Sequence, residues 1–357
     1  MGPLTYRMAT VEDLARVAAF SRRAAGTEVP VPYWRWRYFD NPAGPAGIAI
    51  ACDGDQIVGL ISAFAVPFRI GGQRLLASQV GQNDILTSYR SSSVYFELVS
   101  TVFRELVDQP GIDFCFGIAV KETRDLSVVL MGFEEVSPIR KLVKLVDPVP
   151  HLRKAWNMPV PRWVGSIFAA GHRLGSHRAL RGFTVSRFEH FGDAHDLALQ
   201  KAQGDQLRVC RDASYLEWRY TTCPQRYEKL QLSSNDSVVG WAVYHVIEEH
   251  GIRYGVLDEC FGPEETGQGI ERLVDLAVWD LLQRKVSAIV AWASPTTALH
   301  QALRNHRFIR RPSPRSLIVR PISDRVPLAV LASEDRWYYT IGDTEYWLFP
   351  VLDGASE

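Results

Sequence analysis

A chain of 357 residues is long for one compact core and comfortable for two domains. With 46% hydrophobic and 22% charged residues it is a folded protein and not a disordered one, and 40 basic against 40 acidic side chains leave no overall field to draw it to nucleic acid or an anionic membrane. The longest apolar stretches are far too short to span a bilayer and the opening MGPLTYRMATVEDL has no apolar signal core, so a cytoplasmic protein is expected.

In chain order, a short strand near Tyr6 leads to a helix whose Thr10 and Asp13 can form an N-terminal cap. A polar turn, Asp53-Gly54-Asp55, opens an alternating strand through Ile57-Val58-Gly59. A later strand ends at Leu86, followed by a helix over 91–108, a strand over 113–119, a helix over 122–131 and the turn Gly132-Phe133. Residues 147–190 then hold seven Lys or Arg against two acids, with Pro148, Pro150, Pro159 and Pro161 at the start, and read as a connector. Its stretch 163–180 is expected to be a solvated linker helix.

Beyond it the same succession returns. Asn235-Asp236 introduces a strand through Val238-Val239-Gly240, and a strand over 254–261 precedes a helix over 267–283. In that helix Ile270, Leu273, Val274, Ala277, Val278, Leu281 and Leu282 recur at the spacing of one buried face. A strand over 288–293, a short helix to Asn305 and Arg307-Phe308 close the echo, and the aromatic segment from Trp337 to Asp343 is expected to pack back on a domain.

The echo has a sharp anchor. Tyr33, Trp36, Arg37, Tyr38 and Pro42 recur as Tyr215, Trp218, Arg219, Tyr220 and Pro224, with one common offset of 182. A motif kept in both copies is expected to serve as scaffold, with each Trp buried in its helix and each Arg paired with a local carboxylate. The five cysteines lie far apart without a C-x-x-C pair and read as reduced core thiols. The nine histidines show no H-E-x-x-H, no metal site is expected, and His245 and His250 read as surface residues.

These residues resemble the GNAT superfamily of N-acetyltransferases. The run Tyr6 to Leu14 looks like the family's opening strand and helix, the run Asp84 to Ser93 is similar to its fourth strand and pyrophosphate loop, and Leu130 to Val136 resembles its closing helix and Gly-Phe turn. The resemblance implies a tandem α/β protein, each unit a mixed, mostly antiparallel twisted sheet flanked by helices: an N-terminal domain over 1–146, a basic linker over 147–183 and a C-terminal domain over 184–357. It also implies acetyl-CoA or another acyl-CoA, held where two strands part beside a helix N-terminus. The residues placed there are Ile85, Leu86, Thr87, Arg90, Ser91, Ser92 and Ser93 in the first copy and Gly267, Gln268, Gly269 and Ile270 in the second. Where the family's loop asks for small residues, the first copy has Ser93 and Tyr95.

Acyl transfer to an amine needs a base for the ammonium proton and an acid for the leaving thiolate. Asp84 in the first copy and Asp258 or Glu259 in the second lie on the strand that supplies the base in the resembled family. The position of its usual acid, a tyrosine four residues before the Gly-Phe turn, holds Val128 and Leu303. The leading expectation is transfer to an amine of a small molecule, sugar or peptide, with at most one copy active. Two alternatives stand beside it: aminoacyl transfer from tRNA, as in the paired-domain peptidoglycan-bridge enzymes, and a non-catalytic binding protein with decayed sites.

Overall fold

Local signals set the first elements. The Asp13 carboxylate accepts the Thr10 backbone N–H at 2.9 Å, which closes the expected cap, and the helix behind it stops where Gly26 takes a left-handed φ of 69°. In this computed structural model residues 3–26, 29–156, 182–201, 204–262 and 268–344 are described, so the connector's amphipathic stretch over 163–180 lies outside them.

The first half runs β1 (Thr5–Met8), α1 (Leu14–Ala25), α2 (Val31–Tyr38), β2 (Ala46–Asp53), β3 (Gln56–Ile70), β4 (Gln73–Ile85), α3 (Ser92–Val102), β5 (Phe114–Val120), α4 (Lys121–Met131), β6 (Glu134–Pro138) and β7 (Lys141–Leu145). After α5 (Val149–Trp156) come β8 (Thr184–Arg187), α6 (Asp193–Lys201), β9 (Leu207–Val209), α7 (Ala213–Tyr220), β10 (Glu228–Ser234), β11 (Ser237–Glu249) and β12 (Ile252–Phe261). The chain continues through α8 (Gln268–Gln283), β13 (Ala288–Trp292), α9 (Ala298–Asn305), β14 (Ile309–Arg311), β15 (Arg315–Pro321), α10 (Leu328–Leu331) and β16 (Trp337–Tyr338). Both halves are thus the mixed, mostly antiparallel sheets flanked by helices that the pattern implies.

The sheets do not respect the halves. One is ordered β1-β2-β3-β4-β5-β15-β6, with β9 and β16 added beside the far end of β3, and the other β14-β7-β13-β12-β11-β10-β8. Strand β7 leaves the first half to pair antiparallel with β13 and β14, while β15 returns from the second half to lie between β5 and β6. The first sheet therefore takes β15, β9 and β16 from the second half and the second sheet takes β7 from the first, an exchange within one chain that makes each half incomplete alone. The divisions expected at residues 146 and 184 follow the chain and not the sheets. The crossing is tied down at Arg140, whose guanidinium meets Glu334 at 2.7 and 2.8 Å and whose backbone N–H donates to the Tyr339 hydroxyl at 3.0 Å.

Between the sheets lies a shared core built around the repeated motif. Trp36 on α2 stacks on Trp218 on α7 with ring centroids 4.7 Å apart. Each indole N–H donates to the other residue's backbone carbonyl, at 2.9 and 3.2 Å, so the offset of 182 seen in the sequence is a local two-fold relation in space. The arginines are buried as well, but Arg219 donates to the carbonyls of Gly342 and Thr344 and to the Tyr227 hydroxyl, where a local carboxylate was expected. Arg37 lies over the Phe64 ring at 3.9 Å. All five cysteines are buried free thiols, as read from their spacing.

Because each sheet holds a strand of the other half, heat is expected to unfold the chain in one transition, with far-UV and near-UV signals coincident. Trp218→Ala removes the stack and one of the paired hydrogen bonds; it should lower stability by about 3–5 kcal/mol in urea titrations while leaving the transition single. Two separated transitions in either protein would show that the sheets are independent.

Candidate active site

In the first sheet β4 and β5 are parallel partners only from Ala77 opposite Phe114 to Val80 opposite Gly117. There β4 carries an extra residue against β3, between the pairs Ala63–Val80 and Ile61–Asn83, and then follows β3 to Ile85. Strand β5 instead follows β15, which pairs with it from Phe114 to Val120. The two strands part, and a cavity of about 170 Å³ sits at the fork, among Gly81, Gln82, Gly117, Tyr95 and Ser127. Its deeper wall is apolar, with Phe103, Phe133 and Ile318. Gly117 is the last paired residue, and a Cβ there would project to 3.5 Å from Val80 and Ile318.

Helix α3 starts over this fork. Ser91 caps it by accepting from the Val94 N–H at 3.3 Å, and the first-turn amides of any helix lack intrahelical acceptors, which favours an anion there. Ser92 and Ser93 form the first turn, with Ser93 Oγ 3.0 Å from Ser91 Oγ. Ile85 and Leu86 lead into a short 3-10 turn over Thr87–Tyr89, and Arg90 follows, exposed, with Nε donating to the Ile85 carbonyl at 3.0 Å. The first-copy loop residues are thus gathered at one helix start.

Asp84 stands on the other side of the sheet. Gln82 donates to its carboxylate at 2.6 Å and to Ser21 Oγ on α1 at 3.1 Å. Burial raises the Asp84 carboxyl above its ordinary value of 3.8, opposed by the Gln82 hydrogen bond and the Arg90 charge. Gln82 is also among the residues that line the cavity.

Two hydroxyls in the cavity escaped the sequence reading as possible site groups. Tyr95 is buried on the inner face of α3 and its hydroxyl lies 3.2 Å from Ser127 Oγ on α4. Val128, at the position of the usual acid, is 39% exposed, and the inward place on that turn belongs to Ser127. The signal was available in the helix period: Thr123, Ser127 and Met131 recur every four residues and all line the cavity.

The second half forks in the same way and is filled. Strands β12 and β13 pair from Tyr254 opposite Ala288 to Leu257 opposite Ala291, and β12 has its extra residue at Asp258. The C-terminal aromatic segment enters this fork: the Tyr338 hydroxyl donates to the Cys260 carbonyl at 2.8 Å, and the Tyr339 N–H to Ser294 Oγ at 3.1 Å. Gly342 follows, so closely packed that a Cβ would stand 1.9 Å from the Tyr220 hydroxyl and 2.8 Å from the Asp258 carbonyl.

The second-copy carboxylates are tied into this packing. His245 Nδ1 lies 2.6 Å from Asp258, with both residues buried; His245, expected at the surface, is covered because β11 turns it toward Tyr227, while His250 is exposed. Glu259 meets Arg211 at 2.6 Å, and Arg211 also meets Asp343 at 2.8 Å. Burial pushes Glu259 up to about 7 against the pull of Arg211. Strand registers make Glu259 the counterpart of Asn83, since Val243 opposite Glu259 answers Ile61 opposite Asn83. Gln268 is exposed at the start of α8, Gly269 and Ile270 are buried there, and Gly267 lies outside the described residues.

Residues 5–123 match the model of the acetyltransferase (GNAT) domain family. The match covers one third of the chain and falls within its first half. Among solved structures it resembles Saccharomyces cerevisiae N-myristoyltransferase with bound myristoyl-CoA and inhibitors, at 13% identity and a TM-score of 0.63 over 89% of this chain and 80% of that one. It also resembles a GCN5-related N-acetyltransferase from Anabaena variabilis, at 11% identity and a TM-score of 0.60 over 90% and 73%. At such identities the likeness is one of fold, and it extends across both halves of the chain. No curated protein matches the sequence.

Gly342→Ala tests the packed second fork. The added methyl has no room against Tyr220 and the Asp258 carbonyl, and thermal and urea melts should show a loss of about 1–3 kcal/mol. An unchanged melt would mean that the tail lies loosely there.

Proposed function

We propose that the protein is an acyl-CoA-dependent N-acyltransferase that works at the fork of the first sheet and carries acetyl or another acyl group to the amine of a small molecule, sugar or peptide. The observation that carries this reading is the asymmetry of the two forks. The first holds a cavity between α3, α4 and the parted strands, whereas the second is occupied by the chain's own aromatic tail. The GNAT domain match falls on the half with the open fork.

The residues have the means. The start of α3, with Ser91, Ser92 and Ser93, offers backbone amides and the positive end of the helix dipole to a pyrophosphate, and Arg90 adds a positive charge beside it. Past Val80, amides of β4 that turn toward the gap face no partner strand and can donate to a thioester oxygen. Asp84, on the α1 side and with its carboxyl raised by burial, is the base that takes the ammonium proton, directly or through water, with Gln82 holding it in place. Asp258 and Glu259, engaged with His245 and Arg211, serve the second half's packing in this reading.

Acetyl-CoA at 100 times its dissociation constant should stabilise the protein by about 2.7 kcal/mol in thermal melts. Gly117→Leu, which places a side chain in the cavity, should abolish that shift; Gly269→Leu in the second half should leave it. A shift that survives Gly117→Leu and disappears with Gly269→Leu would move the site to the second half. Asp84→Asn should keep the shift and lower kcat by about 10²–10⁴-fold with any amine that is turned over. In the unsubstituted enzyme kcat/KM should rise with pH as Asp84 loses its proton, with the midpoint above the ordinary 3.8.

A further inference from the structure

A thioester that gives up its acyl group leaves a thiolate, and the aromatic hydroxyl that the family resemblance leads one to expect on α4 is replaced by the outward-facing Val128. The geometry points to Tyr95, on α3, as the proton donor to the leaving thiolate, with Ser127 orienting its hydroxyl and relaying its proton. This rests on the reading of the first fork as the acyl-transfer site.

Three observations converge on it. Tyr95 and Ser127 both line the cavity at the fork, in company with Gly81 and Gly117, where the strands part and where an acyl group must pass to reach an amine on the Asp84 side. The separation of 3.2 Å between the two hydroxyls joins the inner faces of α3 and α4 across the fork, so a ligand entering between the helices meets this pair. Burial also raises the phenol above its ordinary value of 10.0, which keeps it protonated and able to donate at neutral pH.

The proton balance closes without another reactant. An ammonium first gives one proton to Asp84, which passes it to solvent; the neutral amine nitrogen then forms its bond to the acyl carbon as the carbon–sulfur bond breaks, its second proton goes to Asp84, and the Tyr95 proton goes to sulfur, releasing the free thiol. Tyr95 then regains a proton from solvent through Ser127, while Asp84 releases its own. The tyrosine that breaks the family's small-residue pattern at the start of α3 thereby supplies the acid that α4 lacks.

The test follows thiol release from acetyl-CoA with hydroxylamine, an amine small enough to reach the fork, and thermal melts with acetyl-CoA in parallel. Tyr95→Phe keeps the ring and removes only the hydroxyl; it should retain the acetyl-CoA shift and lower kcat by about 10²-fold. The loss should shrink towards nothing with an aryl-thiol analogue of the donor, whose thiolate leaves without protonation, a change that a packing defect would not produce. Ser127→Ala should lower kcat less and shift the alkaline limb of the pH profile, and it carries the same test should Tyr95→Phe fail to fold. Equal turnover by wild type and Tyr95→Phe, or an equal loss with both donors, overturns the assignment. A wild type that binds acetyl-CoA but releases no thiol overturns it too, whereas a wild type that shows no acetyl-CoA shift sinks the acyl-CoA reading itself.

Discussion

Backbone pairing governs this molecule. A β-strand must satisfy its amides and carbonyls on both edges, and the first fork exists because β4 and β5 find different partners beyond Val80 and Gly117. β4 stays with β3, and β5 is held along its whole length by β15, a strand from the other end of the chain. The second half therefore does more than lie beside the first; it supplies the strand that keeps one arm of the fork in place.

Duplication gave two forks of the same construction, and their fates differ through a few contacts. Both have an extra residue on the inner strand and a helix starting above the gap. In the second, Tyr338 takes up a carbonyl of the parted strand, and the network of Arg211, Glu259 and Asp343 locks the tail around it. Buried ion pairs of this kind are costly to break even when they add little net stability, so they specify one arrangement of the tail. The stacked tryptophans at the local two-fold axis hold both outcomes in one body.

The chemistry of the first fork divides across the sheet. The helical side offers amides, serines and the hydroxyls of Tyr95 and Ser127; the α1 side offers Asp84. Gln82, a residue of the cavity lining, donates its side-chain amide to Asp84 on the α1 side. The proposed proton acceptor, Asp84, and the proposed donor, Tyr95, thus lie on opposite sides of the split.

Much of this was readable along the chain. The helix periods, the cap at Thr10 and Asp13, the succession of strands and helices and the offset of 182 all depend on residues close in sequence or on simple self-similarity, and they foretold the paired α/β units and the loop at Arg90 to Ser93. Other features carried no local mark. Strands β7 and β15 look like ordinary closing strands, and nothing in Lys141 to Leu145 says that its partner is Ala288 to Trp292. His245 read as a surface residue because its cover, Asp258 and Tyr227, comes from neighbouring parts of the fold. Tyr95 stood in the sequence only as a departure from the small-residue pattern, because its partner Ser127 lies 32 positions away. Short-range preferences can be read from neighbours in the chain, whereas the choice among distant partners is made by the joint packing of both sheets; that packing exchanged the strands, filled one fork and left the other open.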